Sequence, residues 1–546
     1  MQRLTLLACA AASALLCGPV KADGLAGPYL AARQAGLESD YAAAARYYSQ
    51  ALMRDRGNPA LMEATVNAFL GRGSPMAALP VAQELIRQDH PSQIATLVSI
   101  ADQARTGDWA GAKAVLEAGR STGPLEVDLL YAWISFGEGR VDDALAAFDA
   151  LGGDPGLRAF GAYHKALAYG AAGDFEMAEQ LLNSEEAVGL LRTKRGLLAH
   201  AQILANLGRA SEAADLLVTS FGSSIDPSVR AVVEDLRSGA SVPFDTVRTA
   251  ADGVAEVFFT VAGALNGEAA DNHSLAYTRL AQFVRSDHTD ALLVSASLLE
   301  NMERYDLAID VYKSISRDDP AFFTAELGRA EALHRDDRSD AAIEVLEQLA
   351  TLDDTNPSVF VTLGDTLRQL ERFDEATVAY DKALKRYASA ETGPWCVYFA
   401  RGITHEREDR WTEAEADFRR ALEIRPDQPQ VLNYLGYSLV EMRENLDEAL
   451  DMIERAVAGQ PNSGYITDSL GWALYRLGRY DEAVAPMERA VELLPIDPII
   501  NDHLGDVYWS VGRKLEAEFQ WRRALSFGPE EEDAERIRKK LDIGLD

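Results

Sequence analysis

The 546-residue sequence is short of cysteine, of cationic residues and of long apolar runs, and each shortage removes a class of protein. Only Cys9, Cys17 and Cys396 occur, so a disulfide framework is excluded and stability has to come from packing. Lys and Arg number 53 against 86 Asp and Glu, a formal net charge of −33, and the clustered cations that release counterions from phosphates are missing. Nucleic acid is thereby excluded as a main partner. Beyond residue 22 no stretch supplies the roughly 18 consecutive apolar residues of a membrane-spanning helix. The eight histidines are dispersed, with no pair at helical spacing followed by glutamate, and no metal site is expected. A glycine-rich phosphate loop ending in Lys-Ser/Thr is absent, and neither a cofactor nor a catalytic residue is expected. With so much Asp and Glu, paired carboxylates read as solvated helix faces.

Residues 1–22 differ from the rest. Arg3, the apolar run Leu4 to Leu16 and the small residues around Val20-Lys21-Ala22 have the layout of a secretory signal, with cleavage expected after Ala22. The expected location is the periplasm. Leu16 before Cys17 and the short apolar run before Cys9 do not suit lipid attachment, and membrane association would require it.

What remains is a repeat. GITHEREDRWTEAEADFRRALEIRP from Gly402, GWALYRLGRYDEAVAPMERAVELLP from Gly471 and GDVYWSVGRKLEAEFQWRRALSFGP from Gly505 share one layout. A small residue lies 12 positions after the glycine (Ala414, Ala483, Ala517) and a bulky one 16 after it (Phe418, Met487, Trp521). This layout resembles the tetratricopeptide pattern. Openings at Ala296, Ala330, Gly364, Gly402, Gly436, Gly471 and Gly505 are spaced 34, 34, 38, 34, 35 and 34, the 38 reflecting the loop Ser389 to Pro394. The Gly436 copy runs one residue late, as if Asn445 were inserted in its turn. Pro486 falls inside a second helix, where a kink is expected.

The N-terminal half carries a weaker version through Ala44, Ala78, Ala112, Ala144, Ala178 and Ala213. Small residues let two short helices pack antiparallel, while bulky residues such as Tyr380 are expected to fill the space between hairpins. One hairpin cannot bury its own apolar face, so stacking is obligatory. The expected fold is an all-α tetratricopeptide solenoid, a right-handed superhelix of antiparallel helix pairs. Degenerate hairpins are expected over 23–222, an irregular boundary over 223–252, where Pro227, Gly239 and Pro243 interrupt the phase, a regular array over 253–529 and a capping helix over 530–546.

In such hairpins the first helix lines the groove. Counting from the opening glycines places Tyr465, Asp468, Trp472, Tyr475 and Arg476 there, with Asn433 and Tyr437 on one side, Asp502 and Trp509 on the other, and Phe399 and Arg407 further along. Aromatic rings with an arginine and amides suit a protein-binding surface; packing between neighbouring first helices is the competing role for Trp472 and Tyr475. Cys396 is expected to be a buried or half-buried small hydrophobe on the same wall.

The run from Asn433 to Val484, NYLGYSLVEMRENLDEALDMIERAVAGQPNSGYITDSLGWALYRLGRYDEAV, resembles bacterial envelope proteins that act as adaptors for a carboxyl-terminal processing protease and present cell-wall hydrolases to it. The likeness covers about residues 402–529. It implies a non-catalytic scaffold whose partners are proteins or peptides. The alternative is a periplasmic enzyme acting on peptidoglycan or glycans from the segment Phe221 to Asp252. That segment offers Asp226, Glu234, Asp235 and Asp245 but no His, Cys, Tyr or Trp.

Overall fold

The computed structural model describes residues 24–118, 123–184, 193–222, 227–387 and 394–545. The expected export segment with Cys9 and Cys17 lies outside them, as do 223–226 of the expected boundary and 389–393 of the expected loop. Among the described residues there are thirty α-helices and no strand, and no helix is long and apolar enough to cross a membrane.

Successive helices pair as antiparallel hairpins. The small residues that revealed the period sit at the contact: Ala44, Ala78, Ala112, Ala144, Ala178 and Ala213, then Ala308, Ala342, Ala376, Ala414, Ala449, Ala483 and Ala517, are each at most 1% exposed. The bulky residue lies over the glycine of its own hairpin as well as reaching the gap between hairpins, where it was expected. A Cβ at Gly402 would stand 2.6 Å from the Phe418 ring, and one at Gly364 would be equally close to Tyr380. The ring therefore needs a glycine opposite. Phe418 also reaches Tyr434 of the following first helix, with ring centroids 5.2 Å apart.

Several first helices begin alike, with Asn58, Asn356 or Asp497 capping free backbone N–H groups and a proline in the first turn, where its missing N–H costs nothing. The turn to the second helix pivots on one left-handed residue, such as Gly478 or Gly512. Where Asn445 lengthens the turn, both Arg443 and Asn445 are left-handed. The helix Tyr480–Leu493 runs through Pro486, as Pro75–Arg87 runs through Pro80.

The chain forms two compact units, residues 1–342 and 343–546. In the first, the stretch expected to be irregular contains the helix Pro227–Ser238. Its Val229, Val233 and Leu236, spaced i, i+4, i+7, pack with Leu204 and Leu217. A non-helical stretch, 239–249, leads to the helices Ala250–Leu265 and Asp271–Val284. This pair folds back onto the first helices Pro59–Gly71, Gln93–Thr106, Pro124–Gly137 and Arg158–Ala172, while also adjoining Thr289–Asn301. Ala250–Leu265 is buried around its circumference as far as Ala262, with even Asp252 and Glu256 covered, as a helix inside a core must be. Glu256 accepts bonds from Arg195 Nε at 2.7 Å and from the Tyr163 hydroxyl at 3.1 Å. Tyr277 donates to Glu126 at 2.8 Å. The chain thus fills the concave face of its own N-terminal hairpins.

In the second unit, hairpins follow in regular order from Pro357–Gln369 to Lys514–Ser526, and Glu531–Ile543 packs on the last of them through Ala534 and Ile537.

Candidate binding groove

With the N-terminal concavity occupied, the open inner surface of the second unit is the candidate site. The first helices Trp395–Arg407, Pro429–Met442, Gly464–Arg476 and Pro498–Ser510 together wall a trough of about 620 Å³. Four of the ten expected residues line it: Asn433, Tyr437, Tyr465 and Asp468. Asn433 and Asp468 each stand three residues before an opening glycine, and Tyr437 stands one after, so helical periodicity brings all three to the inner face.

Several polar groups there lack partners. Asn433 Oδ1 is buried without a donor, and Trp411 Nε1, on another wall, is buried without an acceptor. Burial, reinforced by the Glu441 and Asp468 carboxylates, pushes the Tyr437 hydroxyl pKa up to about 12, so it remains a hydrogen-bond donor. Tyr465 is 61% exposed at the rim. His503 pairs with Asp468 at 3.1 Å. Burial alone would lower its pKa, but the Asp468 carboxylate, with Asp502 and Asp506, raises it above the ordinary value.

The remaining expected residues take other roles. Trp472 is stacked between His503 and Tyr475, with centroids 4.0 and 4.8 Å away and planes within 15° of parallel. Its Nε1 donates to Glu441 at 2.6 Å, and Arg476 bonds the same carboxylate at 3.1 Å. Trp472, Tyr475 and Arg476 therefore back the wall and fix Glu441, which faces the trough; for the two rings, packing between first helices is what the structure shows. Phe399 is enclosed by Trp395, Phe418 and Tyr434.

Asp502 and Trp509, expected in the groove, are covered by the end of the chain. Asp502 is fully buried against Lys540 and Arg536, and Trp509 lies against Trp521 and Gly544. Their helix is the last first helix, so the positions left open in earlier repeats carry the final helix here. Cys396 is exposed, contrary to expectation, although burial around its sulfur raises the thiol pKa.

Trp411, Tyr434, Glu441 and His503 also line the trough and were not among the expected residues. Tyr434 and His503 occupy the position two before an opening glycine, and Glu441 the position five after, as Arg407 does; this periodicity was available. The carboxylates Glu406, Asp409, Glu441 and Asp468 outnumber Arg407 and His503, giving the trough an acidic lining.

The segment considered for an enzyme gathers little. Asp245 accepts from Gln202 at 2.6 Å, while Glu234 and Asp235 are exposed; Asp226 lies outside the described residues. Among the described residues no group of three His, Cys, Asp or Glu side chains is placed to hold a metal.

Three family models described as tetratricopeptide repeat match this chain. One matches residues 102–157, 293–357, 399–464, 435–498 and 469–532, and the others 355–427 and 159–184, together more than half of the sequence. A TPR repeat-containing protein of Pseudomonas aeruginosa is 25% identical over 173 residues, 32% of this chain and 28% of that protein. Tetratricopeptide repeat protein 13 of Homo sapiens is 28% identical over 177 residues, again 32% of this chain and 20% of that one. The match thus spans less than a third of each curated relative. Among solved structures, the Cut9–Hcn1 hetero-tetramer of APC/C is similar over 96% of this chain and 97% of that one, with 15% identity and a TM-score of 0.40. YrrB, described as a TPR protein with an unusual peptide-binding site, covers 36% of this chain over 99% of its own, with 22% identity and a TM-score of 0.30.

Proposed function

We propose that this chain, which belongs to the tetratricopeptide repeat family, is a non-catalytic scaffold that holds polypeptide partners in the trough of its second unit. Proteins of this repeat family act as protein-interaction scaffolds. The observation that carries the proposal is a contrast between the two units: the inner face of the N-terminal one is filled by the chain's own helices, whereas that of the C-terminal one is open, ring-walled and supplied with unsatisfied polar groups. A peptide backbone offers both donors and acceptors, so it suits the unpaired Asn433 Oδ1 and Trp411 Nε1, and the rings of Tyr437 and Tyr465 bury apolar area at low entropic cost. The acidic lining favours segments that carry Lys or Arg.

The location proposed is the periplasm, on the strength of residues 1–22. The resemblance of Asn433 to Val484 to envelope adaptors supports a carboxyl-terminal processing protease and its cell-wall hydrolase substrates as the partners.

The test is affinity capture from bacterial envelope extract, read by mass spectrometry, with the wild type compared against an Asn433→Ala/Tyr465→Ala double variant. The expected result is a defined set of proteins, the protease and hydrolases among them, retained by the wild type and lost from a variant whose melting temperature is unchanged. Equal retention by both forms would remove the trough from the proposal, and a set without protease or hydrolases would remove the adaptor role.

A further inference from the structure

We propose that the first unit carries a binding site for a small oxyanion, formed by the guanidinium groups of Arg279 and Arg105 and the first turn of the helix Pro75–Arg87. The site is separate from the trough and does not depend on the function proposed for it.

Arg279 belongs to the helix Asp271–Val284 that fills the N-terminal groove, and it is only 7% exposed. Its Nη1 donates to Gln282 at 3.1 Å, while its Nε is buried without an acceptor. Among the described residues no carboxylate forms an ion pair with it. Other covered arginines of this acidic chain are treated differently: Arg195 meets both Glu256 and Asp290, and Arg401 meets Asp381 and Asp417. Burial without an opposite charge lowers the Arg279 pKa to about 10, which still leaves the group cationic at neutral pH. A desolvated cation with unused donors is costly unless something anionic joins it.

The surroundings are shaped for such a guest. Gly73, in the left-handed region at φ 80°, leaves room for the guanidinium, since a Cβ there would stand 3.2–3.4 Å from Arg279 Cζ and its two Nη atoms. Beside it opens a cavity of about 540 Å³, which Met76, Arg105 and Ser286 also line, and no carboxylate is among its lining residues. Arg105 is held at 2.7 Å by Asp102, outside that lining, and lies over the Phe283 ring at 5.1 Å. The helix Pro75–Arg87 starts at the same cavity, and its N-cap, Ser74, makes no side-chain capping bond. Pro75 brings no N–H, and Ala77 and Ala78 donate to the Ser74 carbonyl at 3.0 and 3.3 Å, so this helix start offers the Met76 N–H, with its partial positive charge, to an anion. Two guanidinium forks together with that helix end match the multiply accepting oxygens of a phosphate or a carboxylate.

The competing role for Arg279 is a structural tie that fixes the hairpin in the groove, and stability separates the two. A site arginine that lacks a partner should be replaceable by an apolar residue of similar length without loss. The experiment titrates the full chain with inorganic phosphate, and separately with acetate, by isothermal calorimetry at constant ionic strength, for the wild type, Arg105→Gln and Arg279→Met. Saturable binding to the wild type is expected, weakened about tenfold in Arg105→Gln, the loss of one charge-assisted contact, and abolished in Arg279→Met, which should melt at or above the wild-type temperature. Phosphate binding without acetate binding would assign a phosphate group as the ligand, and binding of both would assign any oxyanion. Three results would each overturn the proposal: no saturable binding of either anion, binding unchanged in both variants, or an Arg279→Met protein that melts well below the wild type.

Discussion

Gly253 lies directly against the fused bond of the Trp133 indole, so close that a Cβ on residue 253 would overlap the ring. This contact, between residues 120 positions apart in the sequence, seats the helix Ala250–Leu265 in the N-terminal groove. Trp133 is itself completely buried and donates from Nε1 to His164 at 3.0 Å, so it has little freedom to withdraw. Gly253→Ala is therefore expected to cost about 1–3 kcal/mol through overpacking. In a double variant with Trp133→Phe the two losses should be less than additive, because the smaller ring makes room for the new methyl. Denaturant unfolding followed by circular dichroism measures all three forms, and strictly additive losses would refute the contact as the cause.

Acid should weaken the first unit in two overlapping steps. His164 is fully buried, its pKa lowered by that burial to about 4 from an ordinary 6.5, so below pH 6.5 the unfolded chain takes up a proton that the folded chain refuses. Stability present above pH 6.5 is lost progressively as pH falls towards 4. At Glu256, burial acts to raise the pKa, but the Arg195 guanidinium and His288 outweigh it and hold the carboxyl well below its ordinary 4.5. Its contribution is present above that value and is lost as pH falls further. Glu256→Ala leaves Arg195 and Tyr163 facing a void and is expected to cost about 3–5 kcal/mol at pH 7. Unfolding free energies measured from pH 8 to 4 should fall for the wild type, with His164→Asn flattening the segment between 6.5 and 4.

The fold was largely legible because the repeat is a packing rule written in single residues. Ala414 and Gly402 must be small and Phe418 must be large for one hairpin to close, and those demands recur with the period of the hairpin. The filling of the groove was not legible. The apolar character of Ala250–Leu265 suits another repeat as well as an insert, and what distinguishes them is a partner such as Trp133 far away in sequence. The trough was half legible for a related reason. Counting from glycine places Asn433, Tyr437 and Asp468 on the inner face, but it places Asp502 and Trp509 there too, and only the position of the last helix shows that these are covered.

Glu371 marks a place where the sequence works against its backbone. It occupies the left-handed turn position at φ 58°, exposed, where the Gly471 and Gly505 repeats have Gly478 and Gly512. A side chain in this region costs roughly 1–2 kcal/mol, part of which glycine gives back through its freer unfolded state. Glu371→Gly is expected to stabilise the second unit by about 0.5–1 kcal/mol, read as a raised denaturant midpoint at unchanged slope. A loss of stability would mean that the turn draws on a contact of the Glu371 side chain.

Lys540 holds together the polar core beneath the final helix. Its Nζ lies 2.8 Å from both oxygens of Asp502 and 2.8 Å from Asp506, while Arg536 reaches Asp502 at 3.0 Å and Trp521 donates to Asp506 at 2.9 Å. Burial raises the Asp506 pKa even with the ammonium in contact. Replacing Lys540 by methionine keeps the packing of the stem but leaves two buried carboxylates facing each other with Arg536, and His503 where it is protonated, as the remaining cations. The expected cost is about 3–5 kcal/mol at pH 8. The sign of its pH dependence follows from the raised folded-state pKa of a carboxylate without its counterion: the penalty is full at high pH and shrinks as that carboxyl takes up a proton on acidification. The gap between wild type and Lys540→Met in urea unfolding should therefore narrow between pH 8 and pH 5. A gap that is constant across this range would show that a buried carboxylate left without its counterion is not the source of the loss.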